Sequence, residues 1–302
     1  MQQRNWLASI LALAVLGGCT TPQPPRTTVL TPAPDPAMLA NARYVGVLAE
    51  PIELHDGAFD ATFSGASREE VRLLDSAPLG DLDHNGVAEA AALLRRSGGG
   101  SGSFIYIGIA DRANLDAIPV QLIGDRVQIR TLGAAAGEVY ADVVRAGEED
   151  AVCCPGEAVR LTWHYTASGL SAPREGPARR LDVTDFAGSW HLTSLDGGTP
   201  HSRVTLHIDG NRIEGRAICN GYSGELVLGT HPGQLHIGAI ATTSMACPDE
   251  DQAALEYTYL RALTRVQTYS FAPDQLVFGY FTTPDADGSM HALAFGRGDA
   301  PH

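Results

Sequence analysis

The sequence predicts a mainly β chain of two antiparallel β domains, the second an α+β domain with one helix. Three observations predict it. Short segments such as 158–165 alternate apolar with polar residues, as Val159, Leu161 and Trp163 do. Gly, Asp and Asn punctuate these segments at the spacing of strand-to-strand turns. Only one stretch, after Pro248, carries apolar residues at helical spacing.

Taken in order, residues 1–18 read as a secretory signal. Arg4 supplies the positive n-region, and an apolar run from Leu7 to Leu16 is too short to span a bilayer, which takes about 20 residues. Leu16-Gly17-Gly18-Cys19 resembles the lipobox of bacterial lipoproteins, which implies cleavage ahead of Cys19 and acylation (palmitate among the chains) on its sulfur. Thr20 follows where an aspartate would imply inner-membrane retention, so the resemblance implies an outer-membrane anchor, facing the periplasm or the cell surface. Residues 19–40 hold Pro22, Pro24, Pro25, Pro32, Pro34 and Pro36 among Thr and Ala, and are expected to be an extended tether.

A first β domain is expected over 41–170, with strands at 103–110, 126–132, 138–145 and 158–165. The Ser/Gly run 97–102 reads as a flexible turn. Residues 171–184, with Pro173, Gly176 and Pro177 among arginines, read as the linker. The second domain, 185–298, is expected to have strands at 203–208, 212–218, 234–240, 275–281 and 291–295. Pro248-Asp249-Glu250-Asp251 marks a helix start, and Arg261 and Arg265 complement the other end of the dipole. Leu255, Tyr259, Leu263 and Val266 form one apolar stripe, read as core packing.

The chain of 302 residues has a net charge of −14 and no lysine, all its basic side chains being arginine. Without lysine there is no Walker phosphate loop, Schiff-base lysine or Ser-x-x-Lys nucleophile. Without a basic patch, nucleic acid is excluded as an expected partner. Five cysteines are an odd number for an oxidising compartment. Lipid on Cys19 leaves Cys153, Cys154, Cys219 and Cys247, whose three pairings the sequence does not choose between.

Trp190-His191-Leu192, Ile218-Cys219-Asn220-Gly221-Tyr222-Ser223-Gly224 and Ala241-Thr242-Thr243-Ser244-Met245-Ala246-Cys247-Pro248, followed by the acidic helix, strongly resemble the META domain of HslJ-type heat-shock lipoproteins. The resemblance implies a compact β-rich domain with one helix, linked to envelope stress, and implies no established catalytic residue. Ile218 and Gly221 depart from the family's usual glycine and arginine around the Cys-Asn pair. Asn220, Gly221 and Gly224 tolerate left-handed backbone, and a tight turn is expected there. Cys219 and Cys247 are the thiols of this domain, and a bridge between them is expected over the rival reading of a reactive pair, which lacks a Cys-x-x-Cys or a nearby cation. The first half loosely resembles a region of uncharacterised bacterial secreted lipoproteins, through the Gly80–Gly86 stretch, the Ser/Gly loop, Ile123-Gly124-Asp125-Arg126 and Cys153-Cys154-Pro155.

Two motifs carry possible chemistry in that half. Asp81, Asp83 and Asn85, with Gly86 and the Val87 carbonyl, have the oxygen spacing of a calcium loop, but position twelve is Ala92 and the flanks read as strand, so this is no EF-hand. A weak Ca²⁺ site and an Asx-rich turn are the two readings. Cys153 and Cys154 are adjacent: a vicinal disulfide, an inter-domain bridge and free thiols all stay open. The histidines form no ligand pattern, His207 and His236 reading as outward-facing strand positions, and Gly-x-Ser-x-Gly is absent. The expected function is a non-catalytic envelope lipoprotein with no cofactor, binding the membrane through its lipid and an envelope protein through its domains, or serving stress tolerance. The alternatives are a Ca²⁺-dependent ligand or protein binder and an envelope hydrolase.

Overall fold

The computed structural model describes residues 30–62, 68–166, 169–199, 203–281 and 289–298. Cys19, the signal segment and the first part of the proline-rich stretch lie outside the described residues. Among the described residues the chain is mainly β, with two α-helices.

A seven-stranded sheet holds β1 (Arg43–Val45), β2 (Ile52–Glu53), β3 (Ala58–Thr62), β4 (Arg68–Gly80), β5 (Glu89–Gly98), β6 (Ser103–Ala110) and β7 (Ile118–Asp125), in the order β2-β1-β7-β6-β5-β4-β3. Its pairs are antiparallel except β1 with β7, a parallel departure from the expected pattern. A second sheet is formed by β8 (Gln128–Ala135), β9 (Glu138–Arg145), β10 (Glu157–Thr166), β11 (Gly169–Leu170), β12 (Arg174–Glu175) and β13 (Arg179–Arg180). The two sheets bury their facing side chains as one core: Leu93, Ile105 and Ile107 from the first, Val139, Leu161 and Trp163 from the second. The first sheet's other face makes another core with Leu39, Tyr44 and Leu54. Strand β5 is therefore buried on both faces, which is why Ala90 to Leu94 is a continuous apolar run rather than an alternating one.

Residues 30–40 pack rather than extend as a tether. Thr31 bridges Val87, and Asp35 caps a one-turn helix, α1 (Pro36–Leu39), by accepting from the Met38 amide. Arg112 holds the Pro32 and Ala33 carbonyls, and Leu39 is fully buried. The expected linker 171–184 also lies against the fold: β12 and β13 both pair with β10.

The remaining strands form one nine-stranded sheet: β14 (Gly188–Leu195), β15 (Thr205–Asp209), β16 (Arg212–Arg216), β17 (Gly221–Leu228), β18 (Leu235–Ile237), β19 (Ala241–Thr242), β20 (Val266–Ala272), β21 (Gln275–Phe281) and β22 (Met290–Arg297). Its order is β18-β17-β16-β15-β14-β22-β21-β20, with β19 on β17. The end strands approach each other, Gln234 bridging Thr268 and the Tyr269 amide donating to the Gly233 carbonyl, so the sheet curls into a barrel-like form. The helix α2 (Glu250–Leu263) is capped by Asp249, which accepts from the Gln252 amide, and lays Tyr259, Ala262 and Leu263 into the core with Trp190, Leu206 and Phe295. The expected stripe is core as read, except that Val266 is not helical: α2 ends at Leu263, and Val266 opens β20 and pairs with Tyr280.

Candidate functional site

Two of the sequence pieces that carry the resemblance in the second domain, 218–224 and 241–248, meet at one helix side chain that sequence reading did not single out. Glu256, on α2, turns its carboxylate toward the segment between β16 and β17. Its Oε2 accepts from the backbone amides of Ile218 (3.1 Å), Cys219 (2.6 Å) and Asn220 (2.8 Å), and its Oε1 accepts from Asn220 Nδ2 (2.7 Å). Asn220 passes the connection onward. Its Oδ1 accepts from the Met245 amide and the Thr243 hydroxyl, and its Nδ2 also donates to the Met245 carbonyl. Burial pushes the Glu256 pKa up, but the Asn220 side chain and the three amides outweigh it and hold the carboxyl below the ordinary range.

The expected bridge is present: Cys219 and Cys247 are joined by a disulfide, alongside the Glu256 hub. The expected left-handed turn is not. Asn220, Gly221 and Gly224 are absent from the residues of positive φ, and both glycines lie within β17. The reason is that Glu256 Oε2 gathers three consecutive amides, so the loop is shaped by a buried acceptor rather than by backbone freedom. Tyr222 and Tyr259 join hydroxyls at 2.7 Å beneath the hub, and Tyr222 reaches the Thr205 carbonyl.

A groove of about 600 Å³ opens beside the hub, lined by His207, Glu214, Tyr222, Ser223, Thr242 and Thr243. Thr243 belongs to both: its hydroxyl donates to Asn220 and accepts from the Gly221 amide. Glu214 is ion-paired with Arg212 at 2.8 Å. His207 faces outward, as does His236.

In the first domain, the Asp81 loop joins β4 to β5. Asp81 accepts from the Asn85 and Gly86 amides and Asp83 from the Asn85 amide, an Asx-rich turn as one reading expected. His84 and Gly86 adopt positive φ. The loop brings carboxylate oxygens of Asp81, Asp83 and Glu89 within 4.8 Å of one another. Asn85 is not turned to that cluster: its Oδ1 accepts from the Val87 amide at 2.7 Å and its Nδ2 donates to Asp83. Glu89, at the ninth position of the loop pattern, takes its place in the cluster.

Cys153 and Cys154 are unbonded thiols, the first exposed and the second half-buried, so neither the vicinal disulfide nor the inter-domain bridge forms. They line a cleft of about 660 Å³ between the two domains, with Asp150, Arg180, His231 and Tyr269. The hydrogen bond between the two sulfurs, followed by burial and the neighbouring charge, raises the Cys154 pKa and so disfavours its thiolate.

No curated protein matches the chain. Among solved structures, it is similar to a protein from Burkholderia xenovorans determined by NMR, with 24% identity over 42% of this chain and 97% of that one, at a TM-score of 0.29. Residues 182–293, which contain both segments tied together at Glu256, match the family model of the META domain.

Proposed function

We propose that the chain is an exported lipoprotein, anchored to the outer membrane through Cys19, whose META domain serves as a non-catalytic binding module of the envelope. The META match supports a stress-related or binding role, and the geometry favours binding. One observation carries this: the buried polar groups at the hub are consumed inside the fold. Glu256 is bound by four donors, Asn220 is bonded at both side-chain atoms, and the two motif cysteines are joined to each other. A general base or nucleophile needs a free lone pair facing substrate, and these groups have spent theirs on rigidity. The disulfide also supports export to an oxidising compartment.

The test is mass spectrometry of the mature protein from the membrane fraction. A first residue of acylated Cys19 is the expected result; a mature start elsewhere with a bare thiol overturns the anchor. Photo-crosslinking in whole cells from Ser223 and Thr242 is expected to capture a discrete protein adduct, and its absence from both positions overturns the binding role of the groove.

A further inference from the structure

We infer that the loop between β4 and β5 is a site for a hard divalent cation, Ca²⁺ before Mg²⁺, held by Asp81, Asp83 and the buried Glu89.

Glu89 is the observation that carries it. The side chain is fully buried, its Oε2 accepts from the Leu82 amide at 2.7 Å, and its Oε1 has no hydrogen-bond partner. A carboxylate in this position is an anomaly, because buried charge is ordinarily paired or bound to a metal. The charges acting on Glu89 are those of Asp83, Asp81 and Asp111, all acids. Among the described residues, no cationic side chain is ion-paired with Glu89. Yet Glu89 offers an oxygen within 4.8 Å of oxygens on both Asp81 and Asp83. A cation held by all three would supply the missing partner for the buried oxygen and offset the mutual repulsion.

The loop is already shaped for this. The Asn85 and Gly86 amides fix the Asp81 carboxylate, and the Asn85 side chain steadies Asp83, so the ligands are oriented before any ion arrives. The donor set is entirely oxygen, which selects a hard cation over zinc or copper. Three carboxylates from an irregular loop suit Ca²⁺, whose coordination is adaptable, better than Mg²⁺, which demands near-octahedral geometry. The loop also abuts the N-terminal arm: the Thr31 amide donates to the Gly86 carbonyl, and the Ala88 amide to the Thr31 carbonyl. An ion here would stiffen the strip on which that arm docks, so its binding should register in the stability of the whole domain.

The test is calorimetric titration of the chelator-stripped, detergent-solubilised full chain with CaCl₂, alongside its melting temperature. One-to-one saturation is expected with Kd on the order of 10⁻⁴ to 10⁻³ M, the range of extracellular calcium modules. Ca²⁺ should raise Tm, and MgCl₂ should bind about tenfold more weakly. Glu89→Gln and Asp83→Asn should each weaken Ca²⁺ binding by about tenfold or more. Asp83 is only half-buried, so D83N keeps the test valid if E89Q fails to fold. Absence of saturable heat up to about 10 mM Ca²⁺, beyond the range of such modules, overturns the site, as does an unchanged Kd in D83N.

Discussion

The Arg130 guanidinium on β8 donates to the Asp185 carboxylate at 2.7 Å across the junction of the two domains. A second Arg130 nitrogen donates to the Asp185 carbonyl, also at 2.7 Å, and the guanidinium lies over the Phe271 ring. Arg179 reaches the same carboxylate from the expected linker, and the Asp182 amide completes the set. Neighbouring backbone contacts continue the seam: the Phe271 amide donates to Gln128, and the Asp274 amide to the Arg130 carbonyl. The domains are clamped by one buried acid shared between two arginines.

Asp185→Ala leaves Arg130 and Arg179 without their shared anion, and loss of one partner of a buried pair costs about 3–5 kcal/mol. Urea unfolding read by Trp163, in the first domain's core, and Trp190, in the second's, should show a lowered midpoint for the variant. Arg130→Ala should cost less, about 1–3 kcal/mol, because Arg179 still answers the carboxylate. Equal losses in the two variants would show that Arg130 alone holds the clamp.

The Glu256 hub predicts an acid-labile second domain. Its folded pKa lies below the ordinary carboxyl range, so its stabilisation is fully present above the unfolded pKa of about 4.3 and is lost as pH falls through the folded value. Glu256→Gln should lower stability at neutral pH by roughly 3 kcal/mol, through the loss of charge-assisted bonds to backbone amides. The gap between the two proteins should narrow as the pH is taken down from about 4. Asp185 shifts in the same direction, so both proteins should lose stability in acid, and the difference between them reports Glu256. A gap that widens in acid would contradict the role given to this carboxylate.

The disulfide closes a sequence separation of 28 residues. By the loop-entropy relation, such a bridge stabilises by about 3–4 kcal/mol through restriction of the unfolded chain. Cys219→Ala with Cys247→Ala, or reduction of the native protein, should lower the stability of the second domain by that order. The Glu256 bonds to the Cys219 and Asn220 amides do not involve sulfur, so the barrel-like fold should survive. Far-ultraviolet circular dichroism that is retained, with a lowered Tm, is the expected pattern; loss of β signal at room temperature would place the bridge inside the fold's minimum requirement.

Strands with local alternation and clear turns were legible: β6 and β9 run over the stretches their patterns predict, and β10 extends only slightly beyond. Strand β5 was harder to read because both faces are buried, which erases the alternation, and because Ala and Leu favour helices locally. Val266 continued the helical spacing of Leu255, Tyr259 and Leu263, yet pairing with Tyr280 in β21 claims it for a strand. The Cys219–Cys247 bridge was legible from the motif, whereas its neighbour Glu256 was not. A lone acid beside an apolar stripe looks like any solvated helix position, and its donors lie 36 to 38 residues earlier in the chain. The burial of Glu89 was hidden in a similar way: it follows from the packing of two sheets around β5, which no local pattern encodes.

The proline-rich arm supplies a last, sharply divided expectation. Prolines at 32, 34 and 36 favour extended backbone, and from composition alone Leu39 would be one apolar residue on a solvated tether. A substitution there would then be nearly silent. The fold instead places Pro36 at the first turn of α1, where its missing amide costs nothing, and swings Leu39 into the core beside Tyr44 and Leu54. Tyr44 anchors the turn by donating its hydroxyl to the Leu39 carbonyl at 2.8 Å. Leu39→Ala should therefore leave a cavity and lower stability by about 2–5 kcal/mol, as for other fully buried leucines. Leu30→Ala, at an exposed position of the same arm, should change stability by less than about 0.5 kcal/mol. Thermal unfolding of the two variants decides between arm and tether, because equal Tm values would mean that the extended reading of residues 30–40 was right.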